Sequence, residues 1–342
     1  MSFSLLGRIF DISGKKIYEW YRNVLSGFTN SQEQAELHQH DAQDRSLIDK
    51  KTKTFKKVFV PIFKQENFGK DMTIDDKNIG GEVYTIMSNK ETGKIAFMAM
   101  TTKANILADI LFKIPEGIRR KVDTISKDLA EGYDWIARSL FSRAMRIADK
   151  FHVVTLALEA LQDVRVRYRQ EILSEERKGK RESKEKGKKY TSPSLKKHRN
   201  GETIKEILAR SRYLLFRFKD QWTEVQTQRA EILFELFPEL QIAHSVICAF
   251  RNFYKCKVGE KDSIKKARES LENWYNKALE SKIPEILNFM VTVKSHEPDI
   301  LAYFADGHTN AFAESLNNKI QRFVQSNYGI RDRDFFHFRM KK

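Results

Sequence analysis

The chain reads as an α/β protein: a mixed five-stranded sheet flanked by helices, with a large all-α insertion and a small helical N-terminal region. Three observations carry this reading. From about Lys70 the apolar pattern takes the period of strands. A glycine pair and an Asn-to-Gly turn punctuate those strands, and two helical stretches separate the later ones. From Ile204 to Leu301 the pattern is helical throughout, with few glycines and prolines. The chain has 342 residues, 41% of them hydrophobic, which is enough for two or three domains despite a 32% charged fraction. The expected division is residues 1–66, 67–170, 171–303 and 304–342.

The elements follow in chain order. A short apolar helix ends near Phe10, and a turn over Asp11 to Gly14 leads into a second helix with Ser13 at its N-cap. Ile17, Trp20, Tyr21 and Val24 follow 3–4 spacing and are expected to face inward. Lys15, Lys16, Tyr18 and Arg22 are then left outside, as on the DNA-facing side of a partial helix-turn-helix, although any amphipathic helical hairpin has the same pattern. Residues 31–57 are strongly polar and read as a solvated helix with a basic end.

The strands are expected at Asp71 to Asp75, Glu82 to Met87 after Gly80-Gly81, Ile95 to Met100, Val122 to Lys127 and Ala144 to Ala148. Helices are expected at Ala104 to Lys113, at Leu129 to Phe141, and from near Asp149 onward. A three-strand meander followed by parallel strands and helices is the ribonuclease-H-like layout. It sets the ends of the first and fourth strands side by side. Residues 174–202 are almost wholly charged or polar and read as a mobile loop. Arg210 to Arg217 interleaves basic and aromatic residues, which suits a phosphate-facing surface and equally an ordinary amphipathic element.

A net charge of +16 points to a polyanionic partner. Nucleic acid fits that sign better than membrane, because no apolar stretch approaches the roughly 20 residues that span a bilayer. Met1 to Leu6 does not read as a secretory signal. Cys248 and Cys256 are too few for a disulfide framework or a four-cysteine zinc site, so buried free thiols in a reducing cytoplasm are expected.

Three acids stand where a metal-dependent nuclease needs them. Asp75 and Asp128 each end a strand, and Glu314 lies on a late helix. Carboxylates so placed converge to hold two divalent cations roughly 4 Å apart. Any one of them alone would more often be a turn residue or a helix cap. On the late helix Phe312, Leu316, Ile320 and Phe323 form the apolar stripe, while Asn310, Glu314, Asn317 and Gln321 form a polar one. Lys319 and Arg322 add positive charge beside the acid. Asp149 also ends a strand and is the rival for the second carboxylate, and His152 reads as a structural histidine.

These residues resemble the DDE transposases of bacterial insertion sequences, specifically the ISL-three family. The matching stretches are Met72-Thr73-Ile74-Asp75-Asp76, Ser126-Lys127-Asp128 with Gly132-Tyr133, Ile147-Ala148-Asp149-Lys150-Phe151-His152-Val153, and Thr309 to Ile320 with Tyr328-Gly329. The resemblance implies cutting and joining of DNA at transposon ends. Asp75, Asp128 and Glu314 would act as catalytic and metal-binding residues, with two Mg²⁺ ions (Mn²⁺ as substitute). It also implies a homo-oligomer on DNA in a bacterial, nucleoid-associated setting. Two departures stand out. Asp76 replaces the glutamate of the family's usual Asp-Glu pair, and the cysteine-rich zinc module with a complete helix-turn-helix is absent from this sequence. A separately encoded zinc and helix-turn-helix protein, or a truncated copy, is the expectation that follows. A DNA-binding remnant and a resolvase-like nuclease are the rival readings.

Overall fold

The computed structural model describes residues 3–28, 39–41, 57–187, 189–306, 311–326 and 332–341. It divides into two compact units, Met1–Asp149 with Thr309–Lys342, and Lys150–His308.

The first unit is organised by a mixed sheet of six strands in the order β3 (Ile62–Phe63), β6 (Ile95–Ala99), β5 (Glu82–Asn89), β4 (Asp71–Ile79), β7 (Thr124–Lys127) and β8 (Met145–Ala148). Ahead of it, β1 (Gln39–Asp41) and β2 (Lys57–Phe59) pair as a separate antiparallel ribbon. That ribbon is what the described residues show of the segment expected to be a solvated helix; the rest of residues 31–57 lies outside them. The first of the expected strands does not end at Asp75: β4 runs on to Ile79, because the polar residues Asp76, Lys77 and Asn78, which show no strand period, pair with Thr85, Tyr84 and Val83 in the hairpin, so Asp75 stands in mid-strand. β4 and β5 close through Gly80 and Gly81, whose φ values of +64° and +90° suit a two-residue hairpin loop that a Cβ would strain. β4, β7 and β8 run parallel. The expected five strands are thus six. The addition, β3, is a two-residue edge strand pairing with β6, too short to show a period.

Alternation along β4 gives the sheet two different faces. Met72 and Ile74 join Met87, Phe97 and Ile125 in a core covered by α3 (Ala104–Leu111) and α5 (Glu131–Leu140), through Leu107, Leu111, Tyr133 and Ile136. α4 (Glu116–Arg119), a single turn after Pro115, lies between them in sequence. On the other face Ile62, Ile79, Tyr84, Ile86 and Met98 are closed over by Ile320 of α14 (Ala311–Ser326) and Phe336 of α15 (Arg333–Lys341).

The N-terminal pair is α1 (Phe3–Phe10) and α2 (Gly14–Trp20), and a π turn over Tyr21–Leu25 continues α2. Ser13 caps α2 as expected, its Oγ accepting the Lys16 N–H at 3.2 Å. The inward face is only partly the expected one: Tyr21 is turned inward as expected, but Tyr18 joins it in place of Trp20 and Val24. Trp20 and Val24 are 48% and 69% exposed, whereas Tyr18 and Tyr21 pack edge-on against Phe335 of α15. Two stripes of this helix carry large side chains. A partner more than 300 residues away in sequence, as the Arg22–Asp332 bond records, selects the aromatic one.

The second unit is all-helical, as expected for residues 204–301. It comprises α6 (Lys150–Glu185), α7 (Ile204–Arg210), α8 (Arg212–Leu215), α9 (Glu224–Leu236), α10 (Pro238–Phe253), α11 (Ser263–Ser281), α12 (Pro284–Ser295) and α13 (Glu297–Asp306). Its core gathers Phe250, Trp274, Phe289 and Phe304, with the buried Trp274 Nε1 donating to the Val246 carbonyl at 3.1 Å. The tract from residue 174, expected to be a mobile loop, continues α6 to Glu185. A short 3₁₀ turn at Pro193–Leu195 and a Lys197–Thr203 bridge then carry the chain back. Both cysteines are free and half-buried. No single helix among the described residues is long and apolar enough to cross a membrane.

Candidate active site

Parallel pairing decides which side chains lie level with the ends of β7 and β8. The register aligns Ile74 with Lys127 and Lys127 with Ala148. The residue that follows each of these is an aspartate: Asp75 within β4, and Asp128 and Asp149 one position past the ends of β7 and β8. The Asp149 N–H donates to the Lys127 carbonyl at 2.7 Å, which extends the ladder one step and fixes that level. Adjacent strands lie about 4.8 Å apart. Asp128 is thus one strand from Asp75, and Asp149 is two.

Each acid has local partners. Asp75 Oδ1 accepts the Asp76 N–H at 2.8 Å, and Asp128 Oδ1 accepts the Ala130 N–H at 2.9 Å. Asp128 therefore shapes the turn into α5 as well as standing at the strand end. Asp75 and Asp128 are half-buried and Asp149 is buried.

Asp76 does something different. Period two turns it to the opposite face, where its carboxylate accepts from the Thr85 hydroxyl at 2.8 Å and from the Tyr133 hydroxyl. Burial, together with this carboxylate, pushes the Tyr133 hydroxyl pKa far above its ordinary value. The acid adjacent to Asp75 is thus held against α5, on the far side of the sheet from Asp75.

The face below Asp75 has a polar floor. The Thr73 and Ser88 hydroxyls bond at 2.6 Å, and Lys90 Nζ reaches Ser126 Oγ. Burial lowers the Lys90 ammonium to about 8, against the opposing pull of Asp71 and Asp149. In sequence Lys90 was only part of a turn, so nothing marked it as reaching the strand ends. Its depressed pKa has a thermodynamic consequence. The unfolded lysine keeps its proton up to about pH 10.5 while the folded one releases it near 8, so the unfolded state holds more protons between those values. Stability should therefore rise from pH 8 to 10, by roughly 2 kcal/mol from this group. Comparing chemical melts of the native chain and Lys90→Met, both in chelator, checks it; equal pH slopes would refute it.

Lys127 is wholly buried, and its Nζ lies 3.4 Å from Asp134 of α5. Asp134 also meets Arg138 at 2.7 Å and Arg146 at 3.2 Å. This cluster ties the residue before Asp128 to the first turn of the following helix. It too was invisible in sequence, where Lys127 read as an ordinary strand end.

Glu314 lies on α14 as expected, and that helix packs against β4. The face that α14 covers is the one Asp75 shares, since Asp75 pairs with Ile86 and Ile86 belongs to the cluster that Ile320 closes. The Glu314 side chain lies outside the described residues, as do those of Phe312, Leu316 and Asn317. Among the described residues no group of three or more His, Cys, Asp or Glu side chains forms a metal cage.

The expected DNA-contacting residues separate into two groups. Lys15, Lys16, Lys319 and Arg322 are exposed, with Lys15 facing Glu19 at 4.0 Å and Lys16 lying over Trp20. Tyr18 and Arg22 are turned inward, Tyr18 onto Phe335 and Arg22 onto Asp332 and the Phe28 ring. The outer placement expected for these two is therefore corrected, for the reason given above. His152, beside Phe151, belongs to the second unit.

Residues 72–340 match the sequence profile of a transposase family, the ISL-three family of DDE transposases. Among curated proteins, the transposase for insertion sequence element IS1557 of Mycobacterium tuberculosis is 27% identical over 205 residues, covering 59% of this chain and 44% of that protein. The transposase for insertion sequence element IS1001 of Bordetella parapertussis is 21% identical over 232 residues, covering 67% of this chain and 49% of that protein. The chain thus spans about half the length of the curated relatives it matches. No solved structure matches it. With the family profile covering most of its length, the chain belongs to the ISL-three family of DDE transposases.

Proposed function

We propose that this chain cuts and joins DNA strands at insertion-sequence ends, using Asp75, Asp128 and Glu314 on a ribonuclease-H-like core. One observation supports the reading: the register pairs Ile74 with Lys127, so the residues that follow, Asp75 within β4 and Asp128 just past β7, stand at one level, and the helix that bears Glu314 packs against β4. The donor set fits hard divalent cations, since all three are carboxylates and the one-strand spacing is close to the separation of paired metals. These residues would hold two Mg²⁺ ions, with Mn²⁺ as a substitute. When bound, such ions activate an attacking hydroxyl and stabilise the leaving 3′-oxygen. Asp128 is preferred to Asp149 because it is one strand from Asp75 rather than two.

The remaining residues position and neutralise. The Lys127–Asp134 contact holds the Asp128 turn, and Lys90 neutralises charge near Asp149 and Asp71. Lys15, Lys16, Lys319 and Arg322 offer exposed cations to the phosphate backbone. Little covalent chemistry falls to the protein, so placement and charge carry the rate. Assembly as a homo-oligomer on DNA, and recognition of terminal repeats with a separately encoded zinc and helix-turn-helix protein, belong to the same proposal.

The test is strand breakage of a supercoiled plasmid carrying terminal repeats. Breakage is expected with Mg²⁺ or Mn²⁺ and none with EDTA. Tight binding without breakage at any divalent concentration would favour a DNA-binding remnant. Equal breakage of plasmids lacking the repeats, with the partner protein present, would favour a resolvase-like nuclease.

A further inference from the structure

From Arg177 to Arg199 the chain carries eleven lysines and arginines against two glutamates. A run of that kind is usually a solvated tract, but here its first part is built. α6 continues through it to Glu185, and the returning segment is packed against one side of the helix. Buried Glu176 accepts from the Ser192 and Ser194 hydroxyls and, at 3.0 Å, from Lys205 Nζ. One turn on, a Cβ added at Gly179 would lie 2.5 Å from the Tyr190 ring, so the absent side chain at 179 is what lets Tyr190 lie against the helix.

At 100° per residue, Glu176, Gly179 and Ser183 share the covered side, and Arg177, Arg181 and Lys184 share the opposite one. Those three are exposed, with exposed Lys178 and Lys180 flanking them. Glu182 falls on a different side, and Glu185 pairs with Arg181 at 3.2 Å in an exposed contact that exchanges readily for phosphate. The stripe is about 10 Å long from Arg177 to Lys184. Duplex DNA carries about one negative charge per 1.7 Å of axis, so the stripe faces several phosphates at once.

We propose that the Arg177–Arg181–Lys184 stripe of α6 is a second, non-catalytic binding surface in the helical unit, gripping the phosphate backbone of duplex DNA without reading its sequence. The choice of duplex DNA as the polyanion rests on the transposase reading; the presence of a built basic stripe does not.

The experiment measures affinity of the full chain for a random-sequence duplex across a salt series in EDTA, where no cleavage intervenes. The triple variant Arg177→Gln, Arg181→Gln, Lys184→Gln keeps good helix formers at exposed positions. A control triple, Lys265→Gln, Lys266→Gln, Arg268→Gln, removes the same charge from exposed positions on α11. Circular dichroism confirms that both fold.

The expected result is that the α6 triple lowers the slope of log affinity against log salt by roughly 2 to 3, and the control by far less. Equal slopes for the native chain and the α6 triple would overturn the proposal, as would equal losses in both triples, which would mean that only net charge counts. So would a loss confined to anionic phosphatidylserine vesicles or to single-stranded RNA. A native chain that holds no duplex at any salt would fail the transposase reading as well, whereas a native chain that binds with an α6-independent slope fails this surface alone.

Discussion

Replacing Asp75 by asparagine should leave duplex binding intact and lower metal-dependent strand breakage on the order of 10³-fold. The amide keeps the size of the side chain and removes the negative oxygen that a hard cation requires. Loss of several kcal/mol of charge stabilisation in the transition state corresponds to that factor, at about 1.4 kcal/mol per tenfold. Asp128→Asn and Glu314→Gln should behave alike. Asp149→Asn is the decisive comparison, because Asp149 is level with the other two aspartates but a strand further from Asp75. If Asp149→Asn is inactive while Asp128→Asn cleaves normally, the second carboxylate has been misassigned. All four variants should melt within a few degrees of the native chain, which separates chemistry from folding.

The second large effect is on stability. Asp134→Ala should cost about 3–5 kcal/mol, the range seen when one partner of a buried ion pair is removed. Lys127 has no exposed surface, and truncation takes away the carboxylate 3.4 Å from its ammonium and also the shared contact to Arg146. Asp134 is itself only slightly exposed, so water screens the cluster poorly. Arg138→Ala is the internal control. Arg138 touches the same carboxylate at 2.7 Å but is well exposed, so its removal should cost less than about 1 kcal/mol. Denaturant midpoints for the two variants decide it, and comparable small losses in both would mean that the buried lysine does not depend on Asp134.

Much of this arrangement was legible from residue order. Gly80-Gly81 between apolar runs marked the hairpin, Ser13 marked a helix start, and the strand–helix order set the strand of Asp75 beside the one that leads into Asp128, although β4 runs four residues beyond Asp75 instead of ending there. Those features are local, or follow from topology. What was not legible depends on partners remote in sequence. Trp20 and Tyr18 lie on neighbouring stripes of one helix, and only the presence of Phe335 decides which is covered. The tract from residue 174 has the composition of a loop, yet α6 extends through it because Glu176 and Gly179 have partners fifteen or so residues later. Lys127 in a buried strand breaks the apolar pattern, and its reason, Asp134, sits one helix turn beyond the strand. Asp76, beside the candidate catalytic acid, could not be separated from it by type, only by the alternation that points it to Tyr133.

The face of the sheet formed by Ile62, Ile79, Tyr84, Ile86 and Met98 is closed by Ile320 and Phe336, which the ribosome adds after the whole helical unit. Synthesis at about 5–20 residues per second puts roughly nine to forty seconds between the last strand and those two side chains. For that interval the nascent chain lacks the two side chains that close this apolar face, and it lacks the helix of Glu314 as well. Birth of the polypeptide therefore has an order: a sticky intermediate first, then burial of that surface as the helices of Ile320 and Phe336 arrive. A messenger cut short before codon 309 would leave that apolar face without its cover, which makes the product a client for chaperones.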